Sequence, residues 1–373
     1  MIPCLYPESE QMFSNMGLGG LGDATSIEVT WALNGAYELN MTYPVNGRRY
    51  ASLAVRKIIF ATAEAGGDPQ PFRIYKITRP LLGTCTVHAR HVVYDLMGFS
   101  LRPFLAPNLA TVMRQISAIS AVQPHGFDIS ADFDSDIPCN SLTPCSVWNM
   151  MGGQRGSILD IYGGEWVFDG FTATLKSAIG ADRGLIIRYG KNLRTLEQDE
   201  NIANTWTALH PYWYSTDGSV CVTLPEHTVS AGDFDYTRVL VLDMSAEFTE
   251  QPTADSLRDR ALQYIKSNKI GIPDVALDVD FVALEQTEEY KMLASISAIG
   301  RGDTVTVEFP TAYAPESGAP TAFARATSRV VETVWLPLEQ RYKAIRLGKK
   351  RADFVSAVAA VQKDTAWLMS KTR

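Results

Sequence analysis

A chain of 373 residues is too long for one ordinary core, so roughly two to four domains are expected. With 46% hydrophobic and 20% charged residues it is globular rather than disordered. A net charge of −7 argues against a nucleic-acid binder, which needs surplus Lys and Arg to neutralise phosphates.

The first third reads as β-structure. Gly17, Gly19 and Gly22 match the spacing of a dinucleotide fingerprint. That motif needs a strand before it and a helix after it, to set phosphate on the helix N-terminus. Here the next element is an alternating strand, so the segment reads as a flexible glycine loop. Residues 25–33 and 36–43 alternate apolar and polar side chains around Asn34 and Gly35. That pair tolerates the positive φ of a type I′ turn and predicts a hairpin. Asn46 and Gly47 mark a second turn. Residues 72–78 and 84–93 read as further strands, and strands at this spacing predict a sandwich or barrel.

The pattern changes after residue 96. Asn108 is placed to cap a helix over 109–120, with Leu109, Val112, Met113, Ile116 and Ile119 on one face. Residues 127–134 read as a strand and 146–151 as a helical turn. A second hairpin, 165–168 with 172–177, is predicted around Asp169 and Gly170, again as type I′. These elements make a small α/β module between β regions. The β pattern returns after Arg188 and continues to Met244. A helix follows over 252–267, with Pro252 near its start and Leu257, Ala261, Leu262 and Ile265 at helical spacing. Strands resume at 275–284, 304–309, 328–335 and 342–347.

Residues 73–81 and 329–338 each read as a strand ending in a Pro-Leu corner, and a further strand follows each. A duplicated unit and two hairpins alike by chance both fit that echo. Near the C-terminus, Phe354, Val358, Val361, Thr365 and Leu368 recur at four-three spacing, a short heptad seam over a helix at 352–370. An amphipathic helix packed on its own domain fits the same pattern.

Chemistry-bearing motifs are scarce. Asp132, Asp134 and Asp136 have calcium-like spacing, but Ile137 and Thr143 stand where an EF-hand needs Gly and Glu. An acidic loop with at most weak cation affinity is expected. His88 and His91 fall on opposite faces of a strand, which makes them poor joint metal ligands. His125, His210 and His227 have no His or Cys neighbour in sequence, and no zinc-protease, nucleophile-elbow or P-loop motif occurs. The cluster Arg346, Lys349, Lys350 and Arg351 reads as a solvated turn. Five cysteines, an odd number with no Cys-x-x-Cys, fit a reducing compartment and small apolar roles. The first eleven residues lack the basic start and apolar core of a secretion signal. No apolar run approaches the ~18 residues that span a bilayer. A soluble protein is expected. Trp166, Tyr189, Trp206, Tyr212, Trp213 and Tyr214 read mainly as core, with a carbohydrate-stacking platform or an oligomer interface as the other uses.

Residues 150–214 are rich in glycine and aromatics. The carrying residues are Gly152, Gly153 and 156–160, then Gly163, Gly164, Glu165 and Trp166. Gly180, Asp182, Arg183 and Gly184 follow, then Tyr189, Gly190, Asn192 and Leu193, then 200–202, and Pro211, Tyr212 and Trp213. Asn34, Gly35 and 37–39 near the start join them, as do Gly302, Asp303, 304–305, Tyr342, Leu347 and Gly348 near the end. In this order they resemble the N-terminal structural region of phage minor tail proteins, the prophage endopeptidase tail or tail-associated lysin family.

The resemblance implies an α+β, β-rich fold similar to contractile-phage baseplate hubs. Two tube-type antiparallel β-barrel domains would carry an inserted small α/β domain, a fourth peripheral domain and a C-terminal helix. The boundaries expected are 1–97 for the first barrel, 98–187 for the insert, 188–250 with 275–348 for the second barrel, 251–274 for the helical part of the peripheral domain and 349–373 for the C-terminal helix. It implies a homotrimeric ring at the virion tail tip, assembled in the bacterial host cytoplasm. Its neighbours would be the distal tail protein, the tape measure protein and a C-terminal lysin or receptor-binding module, with DNA only in transit and no membrane contact. The trimer seam would be Phe354, Val358, Val361 and Leu368. No catalytic, cofactor or metal residue is implied. The family's hydrolases follow this region in longer relatives, so a structural hub is expected rather than an endopeptidase or a glycan-binding module.

Overall fold

The computed structural model describes residues 2–121, 126–188, 193–201, 205–215, 217–268, 270–271, 274–281, 299–313 and 320–348. Tyr189, Gly190, His125, residues 282–284 of one predicted strand, Lys349 to Arg351 and the whole 352–370 seam lie outside them.

The fold is β-rich with few helices, built on one large curled sheet of thirteen strands. Its order is Leu193–Asn201, Asp274–Phe281, Arg341–Gly348, Pro320–Leu336, Ser26–Ala32, Tyr37–Pro44, Thr84–His91, Gln70–Thr78, Ile58–Ala61, Cys4–Tyr6 and Gly19–Gly20. Thr304–Tyr313 and Asp182–Arg188 branch from Pro320–Leu336. The strands of the N-terminal half alternate as their sequence requires. Ile27, Val29 and Trp31 face inward from one strand and Tyr37, Leu39, Met41 and Tyr43 from the next.

Both predicted hairpins form, but neither makes the type I′ turn. Asn34 has φ +45° while Gly35 is not in the left-handed region, and the Ala32 amide reaches the Ala36 carbonyl at 2.7 Å, closing a longer loop. In the second hairpin Asp169 pairs with Thr172, so Gly170 and Phe171 are the two loop residues. Gly170 alone has positive φ, +55°, which fits a type II′ turn with glycine first. The glycine loop at 17–22 is held down rather than free. The Leu18 amide donates to the Leu5 carbonyl at 2.7 Å, and a Cβ on Gly17 would sit 2.6 Å from that same oxygen.

The insert places helix Leu109–Ala121 on a sheet ordered Asp128–Ala131, Thr172–Lys176, Glu165–Asp169. Asn108 caps the helix, its Oδ1 accepting from the Thr111 amide at 2.9 Å. Leu109, Val112, Met113 and Ile116 are buried, in a core continuous with that of the N-terminal strands.

Residues 205–270 differ from their expected grouping. Ala208–Tyr214 lies at the centre of a separate sheet with Cys221–Thr223, Val229–Ser230 and Val239–Asp243. Helix Ala254–Ser267 covers it, and Leu209, Leu242, Leu257 and Ala261 close a core of their own. Alternation identifies these strands but does not say which sheet they join; the apolar side of the helix decides it. Thr253 is the helix cap, accepting from the Ser256 amide at 3.1 Å, one residue after the predicted Pro252. Leu262, expected in the core, is 47% exposed. Cys4, Cys85 and Cys139 are buried free thiols, Cys145 is half-buried and Cys221 is exposed.

Candidate functional site

Pro320–Leu336 is the spine of the large sheet. Seventeen residues of extended chain reach about 56 Å. Its first half pairs with Thr304–Tyr313, and at Val330 and Val331 the same edge passes to the N-terminal strands. The Val330 amide donates to Asp303 and the Leu33 amide to Val331, at 2.9 and 2.8 Å. The two halves of the chain and the inserted module meet at this switch.

Arg329 fixes the meeting point. Its Nη1 and Nη2 donate to the two carboxylate oxygens of Glu165 at 2.7 and 2.9 Å. Nη2 also reaches the Ile179 carbonyl at 2.8 Å and Nε the Gly302 carbonyl at 3.1 Å. The planar guanidinium suits this bidentate pairing, and the bonds to Glu165 raise its pKa further. The second Glu165 oxygen also accepts from the Ile179 amide at 2.7 Å.

Asn34 makes a second tie. Its Oδ1 accepts from the Trp166 amide at 2.8 Å and its Nδ2 donates to the Gly164 carbonyl at 2.9 Å. The side chain imitates one rung of a strand pair, so the residue read as a turn former is a latch on the insert. The glycines allow the close approach. A Cβ on Gly164 would stand 2.8 Å from the Lys176 carbonyl oxygen, and one on Gly180 would overlap the Gly302 backbone. Asp303 then caps both loops, accepting from the Ala181 and Gly300 amides at 2.8 Å each.

A buried polar layer lies behind. Arg301 sits 4.7 Å from the Tyr37 ring centre and 5.4 Å from that of Trp31, and donates to the Tyr37 hydroxyl at 2.9 Å. His91 stacks on Tyr37 at 4.6 Å, with Nδ1 accepting from the Val93 amide and Nε2 facing Gln70 Oε1. Burial, helped by the Arg301 charge, pushes His91 down to about 3, so it is neutral.

The junction gathers many of the singled-out residues. Gly163 ends helix Ile158–Tyr162, its amide on the Leu159 carbonyl at 3.0 Å. Gly164 and Trp166 meet Asn34, and Asp182 pairs with Thr304 while its Oδ1 accepts from the Gly184 amide. Arg183 belongs to that strand. Tyr212 and Trp213 do not join them; they lie in the separate sheet, Trp213 buried and Tyr212 half-buried. Arg329, Arg301 and His91 were missed as partners. No local pattern marks them, because their partners lie far off in the chain. The arrangement holds backbones together and offers no nucleophile and base pair. Among the described residues no group of three or more His, Cys, Asp or Glu is placed to hold a metal. Asp132 is engaged by the Ser177 amide. No described helix is long and apolar enough to cross a membrane.

No protein-family model matches the chain, and no curated protein sequence does. Solved structures match in fold. The prophage tail protein gp18 from Listeria monocytogenes EGD-e is 14% identical with a TM-score of 0.59, over 97% of this chain and 99% of that one. A tail protein from Neisseria meningitidis MC58 is 8% identical with a TM-score of 0.58, over 95% and 98%. The 43 kDa tail protein of prophage MuSo2 from Shewanella oneidensis is 11% identical with a TM-score of 0.50, over 89% and 95%. Over most of its length the chain shares the fold of these tail proteins.

Proposed function

We propose that this protein is a structural component of a phage or prophage tail, acting at the tail tip as a baseplate hub. In this reading three copies form a ring that continues the tail tube, joins the distal tail protein and the tape measure protein, and lets DNA pass. The two β regions meeting at Pro320–Leu336 would be the paired tube-type barrel domains, with 98–187 inserted and 205–270 outside. The C-terminal seam of Phe354, Val358, Val361 and Leu368 would lie near the three-fold axis and lead to a lysin or receptor-binding module.

The observation that carries the reading is the fold likeness to prophage tail proteins over nearly the whole chain. The junction supports it, because its charged groups are spent on fixing backbones. The net charge of −7 suits a wall that should not retain DNA. Electron microscopy of the chain bound to its tail is the test. Three copies around a pore are expected, and a single off-axis copy would overturn the ring. Clearing of purified cell wall, lost in one point variant, would replace the reading with a hydrolase. Selective glycan binding by the isolated chain would replace it with a receptor module.

A further inference from the structure

The peripheral unit, residues 205–270, has a closed apolar core, so its contact with the insert is made largely by polar groups. Arg260 Nη2 donates to the Ile161 carbonyl at 2.7 Å, and the Tyr264 hydroxyl donates to Asp160 Oδ1 at 2.7 Å. Asn268 Nδ2 reaches the Asp160 carbonyl at 3.2 Å. Within this contact Glu247 and Arg260 form an ion pair whose side chains are 2% and 7% exposed.

The insert supplies part of that burial. Strand Cys139–Ser141 packs on the turn Ser245–Glu247, and Asp160 comes from helix Ile158–Tyr162. The groups facing Glu247 are Arg260, which attracts its charge, and Asp160 and Asp243, which repel it. Cys139 and Tyr162 of the insert also face it, both neutral, because burial raises both, the thiol to about 12. Asp136 and Glu250 line the open cleft at the rim. Glu247 thus has one attracting guanidinium and two repelling carboxylates. Burial pushes Glu247 up to about 7, Arg260 pulls it back, and Asp160 adds to the rise.

We propose that the peripheral unit is held by a proton-dependent latch: Glu247 takes up a proton as the unit closes on the insert, so acid tightens the contact and alkaline pH loosens it. Released into water, Glu247 returns to the ordinary carboxylate range near 4.5. A carboxyl whose closed-state value is raised gives its full support below that range, and loses it as pH rises through about 7. Arg260 keeps its bond to the Ile161 carbonyl when Glu247 is neutral.

Cys139 lies under this contact and Cys221 is exposed on the same chain, which gives an internal reference. The full chain is treated with a methanethiosulfonate reagent from pH 5 to pH 8, and labelling is followed peptide by peptide. The Cys139 to Cys221 rate ratio, corrected for thiolate fraction, should rise roughly 10- to 100-fold across this range. Glu247→Gln should hold the ratio low and flat. A flat ratio in the wild type, or an unchanged rise in the variant, would overturn the latch. If Glu247→Gln does not accumulate folded, Asp160→Asn serves instead. Loss of a repelling carboxylate should move the midpoint to lower pH, and an unmoved midpoint also counts against the latch.

Discussion

Glu165 with Arg329 and Glu247 with Arg260 are the same pair of residue types in two kinds of contact. Around Arg329 each guanidinium nitrogen finds an oxygen, with two bonds to one carboxylate and two to backbone carbonyls. The charges balance one to one, and glycine backbones close in around them. Around Arg260 the carboxylates outnumber the guanidinium, and the contact joins a unit that has its own core. A balanced, saturated pair fixes a junction, whereas an unbalanced pair leaves it responsive to protons. The difference lies in the neighbours rather than in the pair, and it can be broken from either side.

The largest effect should come from the backbone of the fixed junction. Gly180 has φ +76° and no room for a Cβ against the Gly302 backbone. Gly180→Ala must relieve both strain and overlap, at a cost of about 4 kcal/mol from the two terms together. Urea unfolding followed by fluorescence should show the main transition shifted to lower denaturant. Cys139 labelling, which reports the other contact, should keep its pH dependence. A shift under about 1 kcal/mol would mean that the two loops can separate without penalty.

Removing the guanidinium comes next. Arg329→Met leaves Glu165 without its partner in a buried position and frees two carbonyls, costing about 3 kcal/mol. Arg329→Lys restores the charge but not the fork, and should recover only part of that stability. Equal stability of the Lys variant and the wild type would show that the pair acts as a point charge. The distinction drawn from its geometry would then fail.

The body and the latch should also answer pH with opposite signs. His91 is held neutral, so its contribution is complete above the ordinary histidine value of 6.5 and is lost as pH falls. The slope is about 1.4 kcal/mol per pH unit below that point. Unfolding free energies at pH 7, 6, 5 and 4, compared with His91→Gln, isolate it. The variant should be less stable at pH 7 and lose less on acidification. Parallel curves would mean that another group governs the acid limb.

Much of this was legible in the sequence, and the gaps have physical causes. Strand alternation gave the inward residues of Ser26–Ala32 and Tyr37–Pro44, and Asn108 announced its helix. The glycines at 163, 164, 180 and 302 stood out as residues of the resemblance, yet 180 and 302 are far apart in the chain. Nothing local says that Gly180 meets Gly302. Asn34 read as a turn former because Asn-Gly tolerates positive φ, and it does adopt φ +45°. Its amide is spent on the insert 130 residues later, which no local rule contains. The charged partners were hidden for the same reason: Arg329 and Arg301 are unremarkable letters until the sheet brings Glu165 and Tyr37 to them.

Helix Ala254–Ser267 gives the smallest expected effect and a sharp test of where the latch lies. Period alone puts Leu257, Ala261, Leu262 and Ile265 on one face. The structure turns the helix so that Leu257, Arg260, Ala261 and Tyr264 are buried and Leu262 faces solvent. A buried arginine is what rotates the face, since Arg260 must reach both Glu247 and the Ile161 carbonyl. Leu262→Ser should therefore change stability by no more than about 0.5 kcal/mol. Leu257→Ser, which also leaves a cavity in the small core, should cost about 3 kcal/mol or more. If the two substitutions cost the same in urea unfolding, the helix is rotated toward Leu262. Arg260 would then point away from the insert, and the peripheral contact would lose the ion pair that makes it differ from the junction at Arg329.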